Sequence, residues 1–383
     1  MMSRPSAPRA EARVDLEAIR SNVVALDAHA GRASVMAVVK ADGYGHGMVP
    51  TARAAVAGGA AWLGVATIDE ALTLREAGLS ARILAWMIIP GEPWERAIAA
   101  DVDVSVNSGW GIREVSTAAI LADRPARVHL KVDSGLGRAG ATQADWPDLV
   151  DAALKAEANG YLQLTGIWSH FAYADEPGHP TVAAQVQVFK DAVALAEQLG
   201  ARPEVRHLAN SAATFTRPEA HFDLVRAGIA VYGLSPVPQY HAPAELGLRP
   251  AMTLAARLLM VKRVPSGYGV SYAHEYRTAA ETTLGLVPLG YADGIPRDAT
   301  NIGPVLVGGR RRMIAGRVCM DQFMLDLGDD SVVAGDEVLV FGPGDSGEPT
   351  AEDWARTLGT ISYEVVSRVG PRVTRTYREI IET

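Results

Sequence analysis

Cysteine is almost absent from this sequence, since Cys319 is the single example in 383 residues. One thiol can form neither an intrachain disulfide nor a zinc site built from cysteine pairs. Because disulfides are typical of secreted domains, this composition favours a reducing compartment, and we expect the cytoplasm. The nine histidines contain no HExxH motif, and the acidic stretch DLGDD lacks the glycine and terminal glutamate of an EF-hand loop. The sequence therefore predicts no metal site.

An excess of positive charge and long apolar runs are also lacking. Lysine and arginine number 36 against 44 acidic residues, a net charge of −8, which is unlike the basic surface that binds nucleic acid. No uncharged apolar run reaches the roughly 18 residues of a membrane-spanning helix. The amino-terminal stretch MMSRPSAPRAEAR has no apolar core of signal-peptide length. We expect neither a nucleic-acid nor a membrane partner.

A repeating pattern of strands and helices occupies the first part of the chain. Hydrophobic residues make up 48% of the sequence, and its length at about 150 residues per domain suggests two domains. Eight short Val-, Ile- and Leu-rich runs alternate with amphipathic segments up to residue 233. The predicted strands are 35–39, 62–65, 83–86, 102–106, 127–132, 164–168, 205–208 and 224–227. The main helices are expected at 69–77, 108–121, 146–159 and 181–199. This alternation predicts a (β/α)8 TIM-type barrel over residues 1–240, with an open doubly wound sheet as the alternative.

The character of the sequence changes after Gly233, where SPVPQYHAPAELGLRP is typical of an interdomain linker. Strand-like runs separated by glycine, proline and aspartate follow this segment. We expect strands at 252–264, 283–289, 303–307, 311–318, 323–327, 337–341 and 372–377. A single helix is expected at 351–358. Residues 241–383 should therefore form a mainly β C-terminal domain.

Lys40 ends a predicted barrel strand and opens the glycine-rich stretch KADGYGHG. Active-site groups of a barrel collect at the carboxyl ends of its strands, although a lysine there can also simply face solvent. A partly desolvated lysine is a nucleophile that forms Schiff bases with carbonyl cofactors. The same logic draws attention to Ser211 and Gly228, which follow the seventh and eighth strands, where barrels commonly bind phosphate.

The segment VVKADGYGHG resembles the cofactor-binding lysine motif of the alanine racemase family. Further matching segments occur in the family's order along both predicted domains. They are KVDSGLGRAG, GIWSHFA, HLANSAA, VRAGIAVYG, VSY, PLGYADG, GRVCMDQ and ISYEV. Each is weak alone, but their ordered combination over nearly the whole chain is specific. The resemblance implies a barrel followed by a β domain, the same division that periodicity predicts.

The resemblance also implies pyridoxal 5'-phosphate as the cofactor, bound through Lys40. The further cofactor-binding residues that it implies are Tyr44, Asn210, Ser211, Arg226, Gly228, Ile229 and Tyr363. Arg226 would face the pyridine nitrogen, where an arginine cannot accept a proton and so limits delocalisation of negative charge into the ring. Without the resemblance, Arg226 could equally form a salt bridge with Asp223 or Glu204.

Racemisation needs a proton removed from one face of the α-carbon and one delivered to the other, which two bases achieve. The resemblance assigns these roles to Lys40 on the D-alanine side and to Tyr272 of a partner subunit on the L-alanine side. It therefore implies a homodimer whose second domain contributes Tyr272 and Met320 to the partner's active site. Four supporting residues are implied around the substrate and the phenol: Arg138, Met320, His170 and Lys131, the last matching a position that is sometimes carbamylated.

These matches predict an alanine racemase that interconverts L- and D-alanine and supplies D-alanine for peptidoglycan. A broad-specificity or serine racemase and a same-fold amino-acid decarboxylase are enzymatic alternatives, and Arg226 argues against the decarboxylase. A non-catalytic pyridoxal-phosphate carrier is the non-enzymatic alternative, which would not need the second domain. Ala273 and Trp168 depart from the commonest family pattern without replacing a reacting group.

Overall fold

The computed structural model describes residues 8–378 and divides them into two compact units. One unit contains residues 19–43 and 48–248, and the other contains residues 8–18, 44–47 and 249–378. None of the helices in this range combines the length and the apolar character needed to cross a membrane.

The strands are numbered in chain order. They are β1 (Ala10–Asp15), β2 (Ser34–Val38), β3 (Trp62–Val65), β4 (Arg82–Ala85), β5 (Asp103–Val106), β6 (Ala126–Lys131), β7 (Leu162–Trp168), β8 (Val205–His207), β9 (Leu224–Ala227), β10 (Met252–Arg257), β11 (Met260–Val264), β12 (Gly269–Val270), β13 (Tyr276–Arg277), β14 (Thr282–Val287), β15 (Pro304–Val307), β16 (Arg310–Met313), β17 (Phe323–Gly328), β18 (Glu337–Phe341) and β19 (Thr374–Arg378).

The α-helices lie mainly between the strands of the first unit. They span Leu16–Ala30, Met48–Ala57, Ile68–Glu76, Trp94–Ala99, Gly109–Leu121, Trp146–Ala158, Pro180–Gln198, Ser211–Thr216, Ala351–Leu358 and Ser362–Ser367. The segment Lys40–Tyr44 is a left-handed turn, which is described below.

The first unit is a parallel (β/α)8 barrel, as the alternation in the sequence predicts. Its strands follow the order β8-β7-β6-β5-β4-β3-β2-β9. The ring closes between β8 and β9, because the Arg226 N–H donates to Ala209 O at 2.9 Å and the Asp223 N–H donates to Arg206 O at 3.0 Å. This closure excludes the open doubly wound sheet. Met36, Trp62 and Leu84 are buried together in its core, since alternate residues of each strand point inward.

The second unit is mainly β and is built from two sheets and a short hairpin. The larger sheet has the order β16-β15-β18-β10-β1-β19, the smaller has the order β11-β14-β17, and β12 pairs with β13. The prediction of one continuous strand over 252–264 is wrong, since this segment forms two strands, β10 and β11, that belong to different sheets. The chain changes sheet at Leu258 and Leu259, whose N–H groups donate to Asp336 O and Leu286 O respectively.

Two further expectations for this unit are also wrong. The predicted strand 311–318 stops at Met313, and Gly316 then adopts φ +82° where a side chain would collide with Val270 O. The prediction of one helix misses Ser362–Ser367, because six residues are too few for a helical period to stand out in the sequence.

The amino-terminal strand β1 belongs to the second unit, whereas the division of the sequence at residue 240 grouped it with the barrel. It pairs antiparallel with β10 and parallel with β19. Its buried residues Ala10, Ala12 and Val14 alternate with Glu11 and Arg13, which is the pattern of a strand with one buried face. Six residues at the start of a chain carry no signal of which distant sheet they will join, so sequence reasoning could not place this strand.

The chain makes an unusual left-handed turn immediately after the barrel strand β2. Ala41, Asp42, Gly43 and Tyr44 all have φ values between 51° and 61°. For residues other than glycine this conformation costs about 1–2 kcal/mol each, so three of the four positions are strained. The surrounding structure must therefore hold the turn in place.

Glu70 provides one of the contacts that hold this turn. One carboxylate oxygen accepts the Ala41 N–H at 2.7 Å, while the other accepts the Ala66 N–H at 2.8 Å. Glu70 also completes a capping box with Thr67 at the start of the helix Ile68–Glu76. A single side chain thus fixes both the start of this helix and the residue that follows Lys40.

Replacing Glu70 tests this double role. We expect Glu70→Ala to lower the free energy of unfolding by roughly 2 kcal/mol, since it removes a helix cap and leaves the Ala41 amide without its acceptor. The amide of Ala41 should then exchange with solvent faster, as measured by hydrogen exchange. Thr67→Ala is the matched control, because it removes the other half of the same capping box and should cost about 1 kcal/mol while Ala41 stays protected. Equal protection of Ala41 in the two variants would contradict the role of Glu70.

Candidate active site

Four basic residues of the barrel unit lie at or just beyond the carboxyl ends of its strands. Lys40 follows β2, Lys131 ends β6 and Arg226 lies in β9. His170 follows β7 by two residues. Parallel strands deliver such side chains to one face of a barrel, which is where barrel enzymes bind their substrates.

Trp168 is the aromatic centre of this group. Its ring lies 4.2 Å from Lys131 Nζ and 4.8 Å from the Arg226 guanidinium carbon, and it stacks on the His207 ring. Its indole N–H donates to Ser105 Oγ at 2.8 Å. The polar end of Trp168 is therefore anchored inside the barrel, and its ring face is left to contact the cations.

The basic residues depress one another's protonation. Burial, and after it the charge of Arg138, lowers the pKa of Lys40, while Glu70 acts in the opposite direction. Burial, assisted by Arg226 and Arg138, lowers the pKa of Lys131 to about 7. Both amines are consequently neutral more often than an exposed lysine is, and a neutral amine is the form that acts as nucleophile or base.

Arg138 lies in the loop between β6 and the next helix. The Asp133 carboxylate organises this loop by accepting the N–H groups of Gly135, Leu136 and Gly137 at 2.9–3.3 Å. At Gly140 an added Cβ would lie 2.5 Å from the Asp133 backbone nitrogen, so the loop folds closely over itself. The resulting turn presents the exposed Arg138 side chain at the strand ends.

Arg226 is completely buried and bonded on several sides. Its Nη2 donates to Ser169 O at 2.7 Å and faces His170 Nδ1 at 3.2 Å, and its Nη1 donates to His207 O at 3.0 Å. Burial lowers the pKa of Arg226 to about 9, so the guanidinium is charged at neutral pH. The salt bridges considered from the sequence do not form, since Glu204 and Asp223 pair with Arg82 and Arg206 instead.

His170 is held as a neutral imidazole. Burial, together with the charges of Arg226 and Arg138, places its pKa well below the ordinary value. Because Arg226 can only donate, His170 Nδ1 must accept, which leaves the proton on Nε2.

The residues after β8 and β9 form a compact polar group. Ser211 Oγ accepts the Gly228 N–H at 2.8 Å and lies 3.5 Å from the Ala230 nitrogen. Asn210 caps the short helix Ser211–Thr216 by accepting the Ala213 N–H at 3.1 Å. Ile229 begins a buried turn, Ile229–Tyr232. Hydroxyl and backbone N–H groups thus meet where a barrel commonly binds phosphate.

Two of the tyrosines predicted for the site meet in the second unit. The rings of Tyr44 and Tyr363 lie 6.3 Å apart and are tilted by 47°. Burial raises the pKa of Tyr44 above its ordinary value, so its phenol is protonated and can donate a hydrogen bond.

Tyr272 and Met320 also belong to the second unit and are exposed. Their side chains are 67% and 53% accessible, which is unusual for large apolar or aromatic groups. Tyr272 begins a short turn after β12 rather than lying in a strand, and it lines an open cavity of about 390 Å³ with Tyr268, Cys319 and Phe323.

Sequence reasoning missed three groups that lie behind Arg226. Asp103, His129 and His207 are fully buried inside the barrel and hydrogen-bonded in series. His207 stood within the segment HLANSAA but was given no role. The available signal was an aspartate and two histidines within predicted barrel strands, where buried polar groups need partners.

The site fits an anionic cofactor that carries a carbonyl group and a ring acceptor. Lys40 supplies an amine with a lowered pKa, and Arg226 supplies a buried donor that cannot accept a proton. Two carboxylates, those of Glu70 and Asp133, oppose the basic side chains of Lys40, Lys131, Arg138 and Arg226, so basic groups are in excess at the strand ends. In the part of the chain that the structure describes, no group of three or more His, Cys, Asp or Glu side chains could hold a metal ion.

Comparisons with known proteins agree with this fold. Residues 14–236 match the model of the alanine racemase N-terminal domain, and residues 251–377 match that of the C-terminal domain. The alanine racemase of Frankia casuarinae is 63% identical over 369 residues, which are 96% of each chain.

Solved structures give the same result. The alanine racemase of the D-cycloserine producer Streptomyces lavendulae matches with a TM-score of 0.97 at 57% identity, covering 98% of this chain and 99% of the other. The enzyme of Streptomyces coelicolor matches with a TM-score of 0.95 at 61% identity, covering 96% and 98%. Fold, domain content and relatives thus agree, and the chain belongs to the alanine racemase family.

Proposed function

We propose that this chain interconverts L-alanine and D-alanine with pyridoxal 5'-phosphate as cofactor. The proposal includes a cytoplasmic homodimer that supplies D-alanine for peptidoglycan. The observation that carries it is the placement of Lys40, an amine with a lowered pKa, and of the buried donor Arg226 at the ends of the neighbouring parallel strands β2 and β9. The racemases of Frankia and Streptomyces described above support the choice of alanine as substrate.

Bound pyridoxal phosphate supplies an electron-withdrawing ring that acidifies the α-proton of an amino acid attached to it. Lys40 would have two roles in this proposal: its Nζ would hold the cofactor in the absence of substrate, and the same atom would take or return the α-proton of D-alanine when substrate is bound. Its lowered pKa suits both roles, since each needs the free amine.

Arg226 would hold the ring nitrogen of the cofactor and moderate this chemistry. A guanidinium has five N–H donors and no acceptor, so it can only donate a hydrogen bond to the ring nitrogen. A ring nitrogen that accepted this bond would carry no proton. An unprotonated nitrogen withdraws less charge, which favours prompt return of a proton to the α-carbon. The decarboxylase alternative requires an acidic residue at this position.

Tyr272 is the base on the L-alanine face in this proposal. Its exposure in the single chain suits a residue that completes the site of a partner subunit. An ordinary phenol has a pKa near 10, so its Oη needs a hydrogen-bond donor or a nearby cation to hold a negative charge. His170, whose free proton lies on Nε2, and Arg138 are the groups proposed to supply this stabilisation.

The remaining predicted residues hold the ligands. Tyr44, Ser211, Tyr363 and the backbone at Gly228 and Ile229 would donate to the cofactor phosphate, and Asn210 fixes the position of Ser211. The substrate carboxylate would be bound by Arg138 and by the Met320 N–H of the partner subunit. Lys131 would position Arg138.

The central prediction concerns cofactor and activity together. The purified protein should show a visible absorbance band that borohydride abolishes, and it should bring the circular dichroism of L-alanine to zero. Lys40→Ala should lose both, because the proposal attaches the cofactor to Lys40 and gives Lys131 only a positioning role.

Each departure from this result has a definite meaning. A band without racemisation of alanine would point to another amino acid or to a carrier. Carbon dioxide release from an added amino acid would identify a decarboxylase. Absence of a band after addition of pyridoxal phosphate would overturn the assignment of Lys40.

The role of Tyr272 predicts an effect that differs between the two enantiomers. Tyr272→Phe removes only the hydroxyl and should slow α-proton exchange from L-alanine by about a hundredfold or more, while exchange from D-alanine is largely kept. Solvent deuterium incorporation measures both rates. Tyr268→Phe, in the same cavity, is the matched control and should behave like the unchanged protein. Equal losses from the two enantiomers would contradict this assignment.

Mixing two inactive variants tests the shared site. If Tyr272 acts in the partner's site, a heterodimer of Lys40→Ala and Tyr272→Phe chains contains one complete site, so co-expression should restore racemisation. If both residues act within one chain, each site of the mixed dimer lacks one base, and activity stays lost.

Lys131 is predicted to react with carbon dioxide. With a pKa of about 7, its amine is largely neutral at about pH 8 and can attack CO2, forming an N–C bond and releasing one proton to water. The resulting negative carbamate would then face Arg138. In ¹³C-labelled bicarbonate, the protein should show a carbamate carbon signal that fades as the pH falls below about 7. Lys131→Met should lack this signal, and its absence from the unchanged protein would leave Lys131 acting as an amine.

A further inference from the structure

A line of four buried polar side chains runs through the interior of the barrel to the candidate site. Asp103 Oδ2 lies 3.2 Å from His129 Nε2, and His129 Nδ1 lies 2.9 Å from His207 Nε2. His207 Nδ1 in turn lies 3.2 Å from Arg226 Nη1. Asp103 and both histidines have no solvent exposure, so water does not compete for these contacts.

The barrel is shaped around this line. Strand β7 bulges opposite His129, which pairs with Gly166 so that Thr165 is skipped in the register. A Cβ on Gly166 would lie 2.2 Å from His129 Nδ1, the atom that contacts His207. Only glycine leaves room for the two histidines to meet at this point.

The direction of each hydrogen bond follows from the chemistry of the end groups. Arginine donates and cannot accept, so His207 Nδ1 must carry a lone pair. A neutral His207 then has its proton on Nε2 and donates to His129 Nδ1, which places the His129 proton on Nε2. That proton is donated to Asp103, an acceptor when ionised. The reverse order would set an N–H of His207 against an N–H of Arg226.

The carboxylate at the end of the line is fixed on its other side. Arg82 Nη2 and Arg127 Nε each donate to Asp103 at 2.6 Å, one to each oxygen. Asp103 is therefore held ionised and cannot rotate away from His129. Hydrogen bonds are thus donated in one direction along the line, from Arg226 toward the ionised carboxylate of Asp103.

The consequence for Arg226 is that its guanidinium has one orientation. Nη1 is engaged by His207, and Nη2 by Ser169 O, Leu208 O and His170. Among residues 8–378 no acceptor faces the Nε–H, so this donor remains available to a ligand.

We propose that Asp103, His129 and His207 are positioning residues that hold the Arg226 guanidinium in one orientation through a directed hydrogen-bond chain. The functional part of this inference rests on the proposed racemase function. The order of protons in the hydrogen-bond chain does not depend on that function, because it follows from the protein's own donors and acceptors.

Histidine-selective ¹⁵N NMR on the full-length protein tests the proton order directly. We expect His129 and His207 to be neutral with the proton on Nε2, both with and without pyridoxal phosphate. His221 is an internal control, because its two ring nitrogens face the carbonyl oxygens of Ala30 and Thr214 rather than other side chains. A proton on Nδ1 of either chain histidine, or a charged imidazolium in either, would overturn the proposal.

Two substitutions at His129 test the positioning role. His129→Phe interrupts the chain, whereas His129→Gln keeps an acceptor toward His207 and a donor toward Asp103. We expect kcat to fall roughly tenfold in the Phe variant, with KM little changed, and to be largely retained in the Gln variant. In the Phe variant the ¹⁵N signals should still show the His207 proton on Nε2, because Arg226 continues to donate to Nδ1, but this N–H should lose its hydrogen-bond acceptor.

These measurements separate the two levels of the argument. If the protein with bound pyridoxal phosphate fails to racemise alanine while both histidines carry Nε2 protons, the proposed function is wrong and the inferred order of protons in the hydrogen-bond chain is kept. Equal kcat in the Phe variant and the unchanged protein would overturn the positioning role. Equal losses in the Phe and Gln variants would do the same, since hydrogen-bond direction would then not matter.

Discussion

Confinement of like charge at the mouth of the barrel is the constraint from which the properties of the site follow. Burial lowers the pKa values of Lys40 and Lys131, and the positive charge of Arg138 lowers both further. The lysines therefore give up protons more readily, whereas the Arg226 guanidinium stays charged at neutral pH. One group of residues thereby supplies both free amines and fixed cations, and the remaining excess charge suits ligands that carry phosphate and carboxylate.

The cost of this arrangement is met by the interior of the barrel. A guanidinium buried like that of Arg226 is stable only if its donors are satisfied and its charge is balanced. Backbone carbonyls at the strand ends accept hydrogen bonds from its donors, and the ionised Asp103 at the end of the line of histidines contributes to balancing its charge. The barrel core is therefore part of the site, although none of these groups faces the substrate side directly.

Much of this organisation could be predicted from the sequence. The eight barrel strands have a strong local signal, because each is a short apolar run ending at a turn, and the end of the first strand then locates Lys40. The resemblance added Tyr44, Tyr272 and Tyr363, which periodicity cannot single out. What escaped prediction depends on long-range geometry: the capping side chain of Glu70 reaches back to Ala41, and His129 meets His207 only because Gly166 lies opposite.

The position of β1 in the larger sheet has a consequence for synthesis on the ribosome. This strand is made well before its neighbours β10 and β19, which lie at residues 252–257 and 374–378. The whole barrel must therefore emerge while β1 has no partner, and contacts so distant in sequence form slowly. An unpaired strand invites aggregation, and charges such as Glu11 and Arg13 on its outer face oppose it. The order in which the chain is made thus places a solubility requirement on its first residues, separate from anything that the finished enzyme needs.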